Sequence, residues 1–103
     1  MKLGSHLDLV GSFTPSMREC DDEAIKRGRV FVDGDAAMVE AGELVGVSEE
    51  NICGRLVNLI SGDKIGRCSK EDITVFKSVG SAVVDLATAQ FVYETFLHRN
   101  NNL

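Results

Sequence analysis

The chain has 103 residues, enough for one domain at most. Hydrophobic residues make up 44% and charged residues 26%, and the formal charge of −5 argues against a nucleic-acid ligand, which calls for a basic face. No run approaches the ~20 apolar residues of a membrane span, and Asp8 interrupts the amino terminus before a secretory apolar run can form.

Cys20, Cys53 and Cys68 are odd in number and lack a CxxC spacing. They fit reduced thiols in a soluble cytoplasmic protein better than a disulfide framework or a zinc site.

His6-Leu7-Asp8-Leu9-Val10 is short, apolar and closed by Gly11-Ser12, which predicts a strand. A loop follows, and its proline, Pro15, discourages helix at Thr14. Asp21 is placed to cap a short helix over Asp22–Arg27, with acidic residues in the first turn, basic ones in the last, and Gly28 at the stop. A second strand is expected over residues 29–33. Strand, helix and strand in this order make a βαβ unit with parallel strands. Ligands of an open parallel sheet collect at the carboxyl ends of its strands, which singles out the loop over residues 11–20.

Asp33-Gly34-Asp35 is expected to cap a small-residue helix over residues 36–41, ended by Gly42. Ser48, Glu49 and Glu50 are expected to open another helix, with Ile52, Leu56, Leu59 and Ile60 on one face and Gly62 at its end. Residues 61–67 read as a loop and 73–77 as a third strand. Ser78 then stands where it could cap a long helix reaching about His98. In that helix Val79, Val83, Leu86, Gln90, Tyr93 and Leu97 form one stripe, widened by Ala82, Ala89 and Phe96. Such width implies burial against more than one neighbour.

Motifs of known chemistry are scarce. Neither GxGxxG nor GxxxxGK[ST] occurs, so the familiar phosphate cradles are missing. His6 and His98 have no partners at metal-ligand spacing, and Asp21-Asp22 reads as a cap and a first-turn charge. Cys20 abuts a helix start, which can lower a thiol pKa, but no histidine stands nearby in sequence to act as its base. No catalytic or metal-binding residue is assigned.

Two longer strings carry more. One is Leu9-Val10-Gly11-Ser12-Phe13-Thr14-Pro15-Ser16-Met17-Arg18-Glu19, followed by Asp21-Asp22-Glu23. The other is Asp72-Ile73-Thr74-Val75-Phe76-Lys77-Ser78-Val79-Gly80, running into Val84-Asp85-Leu86-Ala87. In order and separation both resemble the ornithine cyclodeaminase/mu-crystallin family, over essentially the whole chain.

The resemblance implies an α/β fold: the carboxy-terminal part of a Rossmann-type parallel sheet (residues 1–78), then a helix returning to a dimerisation domain (residues 79–103). It implies a longer parent that uses NAD(H) or NADP(H), forms homodimers and acts on a small cyclic imino acid or amino acid. The glycine-rich fingerprint and the substrate-carboxylate clamp would lie outside this chain, so it is expected to be inactive alone and to hold no cofactor tightly. Carried over position by position, Val10, Gly11, Ser12, Phe13 and Ser78 fall beside the cofactor, and Val79 and Gly80 beside the substrate.

Ornithine cyclodeaminases place an acid/base aspartate where this chain has Phe13, and a lysine where it has Met17. A phenyl ring moves no proton. The loop is therefore more similar to the ketimine and pyrroline-2-carboxylate reductase branch than to the lyase. The lyase and a non-catalytic, dimer-forming protein remain the alternatives.

Overall fold

The computed structural model describes residues 1–12, 14–80 and 82–101, giving the backbone alone at 82, 83, 100 and 101. Four strands, β1 (His6–Val10), β2 (Arg29–Val32), β3 (Ile52–Arg55) and β4 (Thr74–Ser78), form one sheet in the order β1-β4-β2-β3. All three pairings are parallel. Helix α1 (Asp22–Arg27) links β1 to β2, α2 (Ala37–Glu40) follows β2, α3 (Leu56–Ser61) follows β3, and α4 (Ala82–Asn101) ends the described chain.

The first strand, its crossover helix and the second strand fall where sequence placed them. Asp21 caps α1 by accepting from the Ala24 amide at 3.0 Å, and Gly28 closes it. A Cβ on Gly28 would meet the Val75 side chain at 2.5 Å, so this glycine lets the crossover lie close on the sheet. The two strands it joins are parallel but are not neighbours. β4 lies between them, pairing Val10 with Ser78 on one side and Val32 with Lys77 on the other.

One face of the sheet carries the core. Leu9, Val30, Val32 and Val75 meet Ile25 of α1 together with Ala37, Ala41 and Leu44. On the opposite face α3 covers part of the sheet, and Phe31 is buried there. An apolar hollow of about 340 Å³ lies there among His6, Phe31, Phe76, Leu56 and Leu59, away from the carboxyl ends of the strands.

Three expectations are corrected. Residues 48–61 do not form one helix: a 3-10 turn (Glu49–Asn51) leads into β3, and only Leu56–Ser61 is helical. Gly54, a poor helix former, interrupts the helical pattern, and the backbone there runs extended beside β2. Asp33 and Asp35 do not cap α2, which is preceded by Ala36 and has no side-chain cap. Ser78 belongs to β4, and α4 begins at Ala82.

From Val84 to Arg99 every side chain of α4 is exposed. Leu86, Phe91 and Val92 point about 100–140° apart around the axis at 3.6 residues per turn. The helix therefore carries large apolar side chains on every side, interleaved with Asp85, Gln90, Glu94 and Arg99, rather than along one stripe. It also accounts for a radius of gyration of 16.4 Å, against ~13 Å for a compact chain of this size.

Candidate functional site

All four strands point the same way, so their carboxyl ends share one edge. There the 11–20 loop after β1, the Ser78–Gly80 turn after β4 and Asp33 after β2 stand side by side. The Gly11 amide donates to the Ser78 carbonyl at 3.0 Å, and the Asp33 amide to the Lys77 carbonyl at 3.1 Å. The structure thus brings Val10, Gly11 and Ser12 together with Ser78, Val79 and Gly80. Phe13 lies outside the described residues.

Backbone geometry at this edge is unusual. Gly11 has φ +140°, Ser12 φ +56° and Gly80 φ +85°. The left-handed region is unfavourable for a residue with a Cβ, and Ser12 is nonetheless fully buried there. Beyond Gly80 a Cβ would meet open space, while Val10 is 72% exposed. The rim therefore offers accessible backbone beside an apolar side chain.

Two carboxylates hold this rim from beneath. Asp33 Oδ2 accepts from the Ser78 hydroxyl at 3.1 Å and from the Gly80 amide at 2.9 Å. Asp33 Oδ1 is shielded from water and accepts no hydrogen bond from the described residues. Glu43 Oε2 accepts from the Ser12 hydroxyl at 3.2 Å and the Glu19 amide at 2.8 Å. Its Oε1 lies 2.8 Å from Lys77 Nζ, an ion-pair contact outside hydrogen-bond geometry. Lys77 also donates to Glu19 Oε1 at 2.5 Å.

Burial pushes the Glu43 carboxyl up, but the Lys77 ammonium, the Glu19 amide and the Ser12 hydroxyl outweigh it and leave the pKa below the usual glutamate value. Burial, with the charges of Glu43 and Asp21, pushes the Cys20 thiol up, opposite to the lowering that its place before a helix allows. Cys20 is thus held as a thiol, which suits no nucleophilic role. Among the described residues no group of three or more His, Cys, Asp or Glu is placed to hold a metal. Among them, too, no helix is long and apolar enough to cross a membrane.

Sequence reasoning singled out the rim and missed what supports it. The one available signal for Lys77 is parity: two residues after Val75 on a strand, it must face the core. Nothing local marks Glu43.

A parallel sheet whose strand-end rim is built from a glycine turn and a second backbone turn defines a Rossmann-type α/β protein. The family model described as "Ornithine cyclodeaminase/mu-crystallin family" matches residues 1–100, and the chain belongs to that family. It is 65% identical over 105 residues to Protein SAR DEFICIENT 4 of Arabidopsis thaliana, covering 96% of this chain and 32% of that protein. Delta(1)-pyrroline-2-carboxylate reductase of Bacillus cereus is 43% identical over 107 residues, 33% of its length. The structure of the Thermococcus litoralis Delta(1)-pyrroline-2-carboxylate reductase in complex with NADH and L-proline superposes with a TM-score of 0.89 at 31% identity, covering 97% of this chain and 33% of that one. The chain spans about a third of the length of these relatives.

Proposed function

We propose that this chain supplies the carboxy-terminal part of an NAD(P)H-dependent reductase of cyclic imino acids such as pyrroline-2-carboxylate. The observation that carries the reading is the strand-end rim, where the Gly11–Ser12 turn meets the Ser78–Gly80 turn. Val10, Gly11, Ser12, Phe13 and Ser78 would line the cofactor side, and Val79 and Gly80 the substrate side. The fit rests on open space beyond Gly80 and on exposed Val10, against which a flat ring can lie.

The cofactor, when bound, supplies the hydride; this chain's residues bind and orient. The glycines let backbone approach closely, and the Asp33 and Glu43 carboxylates would fix where the two turns stand. None of the seven residues is a proton donor suited to the imine nitrogen, so that group would be a residue other than these. Residues 1–78 would complete a nucleotide-binding sheet, and residues 79–103 would return to a dimerisation domain. A cytoplasmic homodimer, inactive as this chain alone, fits three unpaired cysteines and an exposed apolar helix.

The cyclodeaminase reading has one point in its favour, a TM-score of 0.83 at 31% identity with a probable ornithine cyclodeaminase of Bordetella pertussis. Phe13 stands against it, because cyclodeamination needs an acid/base at that point.

The test is a hybrid in which this chain replaces the matching segment of the Bacillus cereus reductase. It should oxidise NADH or NADPH only when pyrroline-2-carboxylate is added, while the chain alone turns over nothing. A folded hybrid that ignores the imine, or that releases ammonia from ornithine, would overturn the reading.

A further inference from the structure

We infer that Lys77 and Glu43 are positioning residues, a buried ion pair that sets the conformation of the Gly11–Ser12 turn at the strand-end rim. The inference rests on the reading of that turn as the cofactor-side wall, and concerns two residues that the rim itself does not include.

Both side chains are wholly shielded from water. A buried ion pair is a poor device for stability alone, since desolvation offsets much of its attraction and apolar residues of similar volume often serve as well. What distinguishes this pair is where its remaining bonds go. Glu43 takes the Ser12 hydroxyl and the Glu19 amide, and Lys77 takes the Glu19 carboxylate. Each of these partners lies in the 11–20 loop, so the pair grips both ends of the segment. Lys77 is fixed by β4 and Glu43 by the turn after α2, two elements that belong to the core face.

The loop is shaped to receive the grip. A Cβ on Gly11 would meet the Glu19 carboxylate at 3.2–3.3 Å, so the Lys77-held carboxylate packs directly against this glycine. Ser12 is held at positive φ with its hydroxyl anchored, a conformation that persists only where surroundings over-determine it. Next to Glu43, Gly42 donates its amide to the Met17 carbonyl at 3.0 Å. The 42–43 segment and Lys77 together leave the loop little freedom to move away from the Ser78 turn.

Glu43 must be a carboxylate for this task. Everything around its two oxygens is a donor or a cation, so the amide group of a glutamine would turn a donor toward one of them.

The test separates positioning from support of the fold. In the chain itself, Lys77→Met combined with Glu43→Leu removes both charges while keeping bulk. We expect a urea midpoint near that of the native chain and unchanged hydrogen exchange in β2 and β4. Amides of Gly11 and Glu19 should exchange at least tenfold faster. Where the double variant does not fold, Ser12→Ala touches only the loop end of the tether and should give the same local loss. In the hybrid reductase, the double variant should lower kcat at least tenfold while the KM for pyrroline-2-carboxylate moves less than twofold. Native-like protection of Gly11 and Glu19 in a folded variant would overturn the inference whatever the activity. A native hybrid without reductase activity would overturn the proposed function instead, leaving the exchange measurement to decide this point alone.

Discussion

Asp33 Oδ2 accepts from the Gly80 amide at 2.9 Å, so the end of β2 fixes the turn that follows β4. The same oxygen takes the Ser78 hydroxyl at 3.1 Å, so one carboxylate ties both ends of the turn. Asp33→Ala should therefore destabilise the chain by about 1.5–3 kcal/mol, the range for hydrogen bonds to a charged group. Asp33→Asn keeps an acceptor and should fall between Ala and native. Urea unfolding of the three proteins checks this. An Ala variant as stable as the native chain would mean that the turn holds itself.

The pH dependence follows from Glu43. Its folded pKa is depressed, so its contribution is fully present above the unfolded glutamate value and is lost as pH falls through the folded one. Asp72 acts in the same direction, lowered by the amides of Ser69 and Cys68. Stability should thus decline on acidification below the ordinary carboxylate range, and Glu43→Gln should flatten that decline while lowering stability at neutral pH. Urea midpoints measured between neutral and acidic pH give the answer. Parallel pH curves for the two proteins would remove Glu43 from the account.

Gly42 offers a steric test of the loop. A Cβ there would meet the Met17 carbonyl oxygen at 2.3 Å and that of Pro15 at 2.6 Å, both backbone atoms that cannot rotate away. Gly42→Ala should cost about 1–3 kcal/mol, as overpacking does. Gly34→Ala is the control, since its Cβ meets nothing within 4 Å and its φ is unstrained. It should be neutral or stabilising by up to about 1 kcal/mol through the unfolded state. Equal melting temperatures for the two variants would show that the loop yields freely.

What sequence made legible is what rests on local chemistry. Asp21 before an acidic first turn, Gly28 after a basic last turn and apolar runs stopped by glycine are signals within a few residues, and β1, α1 and β2 follow from them. β3 was hidden because Leu56, Leu59 and Ile60 share a helical period that runs back through Ile52, while the strand itself is four residues containing a glycine. The rim could be found because parallel strands end together. The pairings made by Lys77, Glu43 and Asp33 could not, because their partners are remote in sequence: Ser12 is 31 residues from Glu43, and Glu19 is 58 from Lys77.

The last expectation concerns assembly, and it follows from surfaces that nothing in the described chain covers. α4 exposes Leu86 at 70%, Phe91 at 69%, Tyr93 at 63% and Phe96 at 59%. Burying one such side chain contributes ~1.5–3 kcal/mol. A few of them together rival the ~5–15 kcal/mol that holds a typical domain folded. β1 adds a second surface, because it pairs with β4 on one side alone and leaves an open edge that can template another strand. The purified chain should therefore sediment as a dimer or larger species at high micromolar concentration. Phe91→Glu with Phe96→Glu should shift it toward monomer, since α4 carries the larger apolar surface. If the native chain sediments as a compact monomer and unfolds cooperatively, α4 must fold back over the open face of the sheet, filling the hollow between Phe31 and Phe76. Protection of Phe91 and Phe96 from solvent in that monomer would then replace self-association as the account of how the helix is covered.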